Sequence, residues 1–273
     1  MASAYFGEVK GFSVRKQNEG AGPSVVVFLN GFLSQPSDDA RDWKSCLRRR
    51  EKWVQRPWYH IAWEAKSKSD LGRMVCKDVS GQAAKAFAAR LAKRATRLAG
   101  KKLSPITWAA AITDILANPW HSAMKKASMT GFILADLMAR SGGREFVLMG
   151  HSLGARVIYY ALAALSTRQE KIVRDVYLLG GAVDRNDESG WGEAIKSVKG
   201  RIYNCFSSKD QVLTCLYRGA NAFLSDPIGL GPIVGKSEQV SNIDCSDLVD
   251  SHMVWKEHLP AVLDRIETRS PGV

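Results

Sequence analysis

Five consecutive residues, Gly150-His151-Ser152-Leu153-Gly154, hold a serine between two glycines. A neutral hydroxyl is a weak nucleophile, and a sharp turn between a strand and a helix is one way to expose it for attack. The flanks supply both elements. Glu145-Phe146-Val147-Leu148-Met149 reads as a buried strand, and Ala155 to Leu165 reads as a helix. The bare motif is short and arises by chance. A serine capping a helix after a strand would look the same. The setting is what makes Ser152 a candidate nucleophile.

Such a serine needs a general base, and the base needs an acid to orient it. The chain has five histidines, at 60, 121, 151, 252 and 258. His60 and His121 precede the serine. His151 lies inside the motif and is not expected to take part. His252 sits in a loop leading into the last helix, whereas His258 falls in the amphipathic run Trp255 to Leu259, so His252 is the favoured base. For the acid, Asp210 follows an apolar strand in Ser207-Ser208-Lys209-Asp210. It is favoured over Asp184, which follows the strand after the motif. Negative charge developing on an attacked carbonyl needs preorganised donors. The backbone N–H of Leu153 is one. The N–H of Phe32, in the loop Leu29-Asn30-Gly31-Phe32-Leu33, is the other, with the Asn30 side chain holding the loop.

These residues must be brought together by strand ends on one edge of a sheet. Ser24 to Leu29, Trp58 to Trp63, Val173 to Leu179, Gly200 to Phe206 and Gln239 to Asp244 read as strands, after two short β-like pieces in residues 5–16. Residues 41–56 are basic and helix-compatible. A helical tract from about 81 to 140 is punctuated by Gly100, Pro105 and Asn118-Pro119, and Val254 to Glu267 reads as a closing helix. Strands alternating with helices imply an α/β fold: a mostly parallel sheet flanked by helices. One domain over 1–273 is expected, with a helical insertion at 81–140 that suits a lid.

Composition bounds the rest. Thirty-nine Lys and Arg against 27 Asp and Glu give a net charge of +12, which favours anionic partners. No zinc finger, helix-turn-helix or RNP-like motif accompanies it, so no nucleic acid is expected. Five cysteines, at 46, 76, 205, 215 and 245, form no C-x-x-C pair, and neither metal nor other cofactor is expected. The N-terminus has no apolar h-region. The longest apolar stretches, Ile106 to Ala117 and Met129 to Ala139, are broken by Asp114 and Asp136 and fall short of the ~20 residues of a bilayer span. Gln82 to Lys102 is basic, with Phe87, Leu91 and Leu98 near helical spacing. It suits either a helix packed on the sheet or peripheral contact with an anionic membrane. A cytoplasmic location with such contact is the expectation, and export without a cleaved signal stays open.

The Ser152 motif with Asp210 and His252 resembles the α/β-hydrolase superfamily, its lipase-like members in particular. More narrowly, Asn30 to Ser34, Asp42-Trp43, Trp63-Glu64, Asn118-Pro119-Trp120 and Gly150 to Arg156 are similar to the transmembrane and coiled-coil domain hydrolase family. The resemblance implies an α/β-hydrolase fold and a Ser152-Asp210-His252 triad acting on an acyl-ester or lipid substrate. The rival expectation is a module of the same fold without chemistry, which binds lipid or a protein through its basic insertion.

Overall fold

The run Ser24-Val-Val-Val-Phe-Leu29 has no polar position after its first. A strand of that pattern must be covered on both faces, as central parallel strands are. The computed structural model describes residues 12–31, 40–63, 105–218, 225–235 and 237–269, and in it every residue of this strand is buried. Its side chains alternate between two cores, as the strand's twofold period requires. Val25, Val27 and Leu29 enter one; Val26 and Phe28 enter the other.

Among the described residues the sheet has seven strands: β1 (Ser13–Glu19), β2 (Ser24–Leu29), β3 (Pro57–Ala62), β4 (Glu145–His151), β5 (Val173–Leu179), β6 (Ile202–Phe206) and β7 (Val240–Asp244). Their order is β1-β3-β2-β4-β5-β6-β7. Only the β1–β3 pair is antiparallel. The helices are α1 (Arg41–Leu47), α2 (Glu51–Val54), α3 (Pro105–Ala139), α4 (Leu153–Leu165), α5 (Glu188–Lys196) and α6 (Leu259–Arg269). Residues of α3, α4 and α5 share the first core, and those of α1, α2 and α6 the second. The seven tryptophans whose side chains are described are all buried, so these rings serve packing.

The strand order reverses at β2, which has β3 on one side and β4 on the other. Such a reversal opens a crevice beyond the carboxyl ends of the two strands. Leu29 pairs with Gly150, so the segments Asn30-Gly31 and His151-Ser152 leave the sheet side by side.

Three elements differ from their sequence expectation. The helical tract does not break at Asn118-Pro119: α3 runs unbroken from Pro105 to Ala139. An interior proline costs about 3 kcal/mol. The packing that follows offsets it, because Trp120, Ala123, Ala127 and Leu134 are all buried. At Gly131 a Cβ would meet the Val157 carbonyl at 2.6 Å, so the α3 and α4 backbones nearly touch there. The basic stretch 41–56 splits into α1 and α2. The closing helix starts late, after a 3-10 turn at His252–Val254. Helix α5 had no clear sequence signal, since it carries two glycines in nine residues. Asp187 starts it by accepting from Gly190 N at 3.0 Å, and Trp191 anchors it. The basic segment 82–102, the first part of the expected insertion and the β-like pieces before residue 12 lie outside the described residues.

Candidate active site

Ser152 joins β4 to α4 with φ 57° and ψ −120°. A residue with a side chain adopts positive φ only when its surroundings impose it. Three backbone hydrogen bonds do so. Ser152 N donates to the Leu179 carbonyl at 3.1 Å, and the Ser152 carbonyl accepts from Ala155 N and Ala182 N, each at 3.1 Å. Two glycines make the turn sterically open. A Cβ on Gly154 would collide with the Leu29 carbonyl, and one on Gly31 would lie 2.5 Å from Ser152 Cβ and 3.0 Å from its Oγ. Gly31, where the chain leaves β2 for the following loop, therefore rests directly on the serine.

Asn30 holds that loop. Its Oδ1 accepts from Trp43 Nε1 at 2.7 Å, which leaves Nδ2 facing His60 Nε2 at 3.3 Å. Trp Nε1 only donates, so the Asn30 amide is oriented and Nδ2 is the donor to His60. The Asn30 carbonyl accepts from Trp63 Nε1 at 3.2 Å. The Asn30 side chain is thus anchored to α1, and both tryptophan partners of Asn30 stand in the segments that carry the family resemblance. Phe32 itself lies outside the described residues. Leu153 opens α4, where the first amides have no intrahelical acceptor.

His252 and Asp210 meet. His252 Nδ1 lies 2.6 Å from Asp210 Oδ2, and the two residues are 5% and 1% exposed. The other carboxylate oxygen accepts from Leu213 N at 3.0 Å. Both oxygens are thus engaged, one on the backbone and one on the imidazole. Ser207 ties the ends of this arrangement together: its Oγ donates to the Val249 carbonyl at 2.6 Å, and its N to the Gly229 carbonyl at 3.0 Å. Asp184 meets no histidine. Its carboxylate accepts from Asn186 N at 2.9 Å and its carbonyl from Trp191 Nε1 at 2.8 Å. His258 is half-buried, and its carbonyl accepts from Val262 N at 3.0 Å.

His151 is a correction. It does not stand aside: its ring lies 4.7 Å from that of His252, and its Nε2 donates to the His252 carbonyl at 3.0 Å. Burial first, then the neighbouring His252 and Lys256, holds its pKa well below the ordinary 6.5. The ring is therefore neutral with its proton on Nε2. No sequence signal pointed to this contact, because it depends on the return of a loop 101 residues away.

A parallel sheet with a reversal at β2, a strained serine turn after β4 and a buried His–Asp pair beside it define an α/β-hydrolase-fold protein. The chain belongs to the family described as "Protein of unknown function (DUF726)", matched over residues 1–269. It is 31% identical over 272 residues to an uncharacterized membrane protein of Caenorhabditis elegans, covering 95% of this chain and 42% of that protein. It is 31% identical over 273 residues to "Probable lipase MIL1" of Saccharomyces cerevisiae, covering 97% of this chain and 24% of that protein. To "Transmembrane and coiled-coil domain-containing protein STS1" of Oryza sativa it is 29% identical over 271 residues, covering 96% and 39%. The chain thus spans less than half the length of these relatives. Among solved structures it resembles the mouse alpha/beta hydrolase domain-containing protein 10, with 11% identity, TM-score 0.45 and 94% of each chain covered. It also resembles Zea mays acyl-protein thioesterase 2, with 14% identity, TM-score 0.42 and 94% and 98% covered. Among the described residues no helix is long and apolar enough to cross a membrane.

Proposed function

We propose that this chain is a serine hydrolase of acyl esters, with a lipid ester as its substrate. The observation that carries the proposal is the buried His252–Asp210 pair at 2.6 Å, set against the strained Ser152 turn through His151. Ser152 Oγ attacks the ester carbonyl while His252 takes its proton. Asp210, bound to Nδ1, orients the ring and stabilises its cationic form. The tetrahedral oxyanion is held by the N–H groups of Leu153 and Phe32. Collapse expels the alcohol, which leaves with the proton from His252. Water then attacks the acyl-enzyme by the same route and frees the acid. The lipid assignment draws support from the relative described as a probable lipase.

Fluorophosphonate labelling tests the nucleophile. The native chain should label and hydrolyse esters, and Ser152→Ala should do neither. Hydrolysis that survives in pure Ser152→Ala protein overturns the assignment.

The same reading places the enzyme at a membrane surface. The charge of +12, the basic segment 82–102 and the relatives described as membrane proteins support it. Cations near an anionic leaflet contribute about 1 kcal/mol each, screened by salt. Vesicle binding should rise with anionic lipid and fall with salt. Reversal of Arg90, Lys93, Arg94 and Arg97 to glutamate should weaken it strongly, and equal binding by parent and variant sinks the membrane reading.

A further inference from the structure

A cavity with a volume of ≈ 350 Å³ lies between α3 and the β1–β3 edge of the sheet. Its strand side is Val25, Val27, Ile61 and Phe146, and its helix side is Leu134, Leu137 and Met138. Phe146 stands near the start of β4, whereas Ser152 follows the last residue of that strand, and neither Ser152, Asp210 nor His252 lines the cavity. The slot is reached from outside past Val14 and Leu137, which are 46% and 37% exposed.

The slot is not apolar throughout. Arg144, from the turn between α3 and β4, joins its lining together with Ser141. Arg144 is exposed and forms no ion pair among the described residues. Lys16 lies two residues along β1 from Val14, on the same face, and pairs in register with Tyr59, which also lines the slot. The charges of Lys16 and Arg144 act on one another, and only Lys16 has a carboxylate partner, Glu19. Among the described residues, one end of a hydrocarbon-lined slot therefore carries a cation, Arg144, with no carboxylate paired to it.

We infer that this slot is a binding site for one fatty acid, its chain lying between α3 and the sheet and its carboxylate at Arg144. The volume falls at the low end of the about 300–1,000 Å³ of small-molecule sites, which suits one chain and excludes the two of a diacyl lipid. Apolar walls with a few placed polar groups are the usual make-up of such sites. A guanidinium matches a carboxylate in two parallel hydrogen bonds, which sets the orientation.

The inference is independent of the role given to Ser152, and the experiment keeps the two apart. Dodecanoate, below its micellar concentration, is titrated into Ser152→Ala protein by calorimetry. Saturable binding of one molecule per chain is expected. Val14→Trp, which fills the slot from an edge strand, and Arg144→Glu should each weaken it about tenfold or more, the scale of a lost charge-assisted hydrogen bond. Dodecanol should bind with an affinity that Arg144→Glu leaves unchanged. The same two substitutions in the native chain should leave hydrolysis of a short soluble ester intact, and thermal melting establishes that both fold. Absence of saturable binding, as when another stretch of this chain fills the slot, overturns the inference. Equal affinity in parent, Val14→Trp and Arg144→Glu does so as well, by moving the acid to another site.

Discussion

Asp210 and Asp184 both follow a strand, yet they differ in what their carboxylates hold. Asp210 divides its oxygens between Leu213 N and His252, while Asp184 spends its Oδ1 on Asn186 N within its own turn. Asp210→Asn should therefore lower turnover on the order of 10⁴-fold, the cost of that change in another triad enzyme. Asp184→Asn should change it little. Steady-state kinetics of both variants on one ester would check this, and the reverse ranking would move the acid to Asp184. Asp210 was legible from its place just past an apolar strand, and His252 by elimination among five histidines and from its loop before the last helix. His151 was not, since its partner comes from a distant loop. Its pKa has a measurable consequence. An unfolded histidine titrates near 6.5 and the buried one well below, so the unfolded chain binds the extra proton first. The stability contributed is complete above about pH 6.5 and is lost as pH falls toward the folded value, by up to about 1.4 kcal/mol per pH unit. His151→Gln keeps an N–H donor for the His252 carbonyl but removes the titration. Urea unfolding between pH 7 and 5 should show a shallower loss in that variant than in the parent.

Helix α3 shows how tertiary packing overrides a local signal. Asn118-Pro119 reads as a boundary because proline removes a donor and clashes with the preceding turn. The close approach of α3 to α4 at Gly131 holds the helix through it. Gly131→Ala is informative because two effects oppose. In an isolated helix alanine gains about 1 kcal/mol over glycine. Here the new methyl meets the Val157 carbonyl at 2.6 Å and Tyr160 Cβ at 2.7 Å. Overpacking of this kind costs about 1–3 kcal/mol. A net loss of stability is expected in urea titrations, and a gain would mean that the helices separate easily. The strands were more legible than the helices. β2, most of β4 and the second half of β5, from Val176 to Leu179, are apolar runs buried on both faces, a pattern that needs no knowledge of partners. Helix α5 was hidden for the opposite reason. Its glycines weaken the local signal, and it exists because Tyr159 and Gly190 both hydrogen-bond Asp187 while Trp191 is buried.

At the scale of the whole molecule the parallel sheet separates two cores, and its carboxyl edge gathers Asn30, Ser152, Asp210 and His252 from four separate strand ends. Fold class was readable from alternation alone; the strand order was not, because sequence does not say on which side of β2 the chain returns. One feature of that order bears on how copies of the protein behave in solution. Among the described residues β1 is the last strand of the sheet on its side, and it pairs antiparallel with β3. An outermost strand offers free N–H and C=O groups to any other extended chain, which is how sheets aggregate edge to edge. Here that strand reads Ser13-Val-Arg-Lys-Gln-Asn-Glu19, and a bulge interrupts its register between Lys16 and Asn18. Charge and irregularity make it a poor template. Replacing Arg15 and Gln17 by valine should turn it into a good one, and light scattering of the variant at high concentration should register clumping that the parent resists.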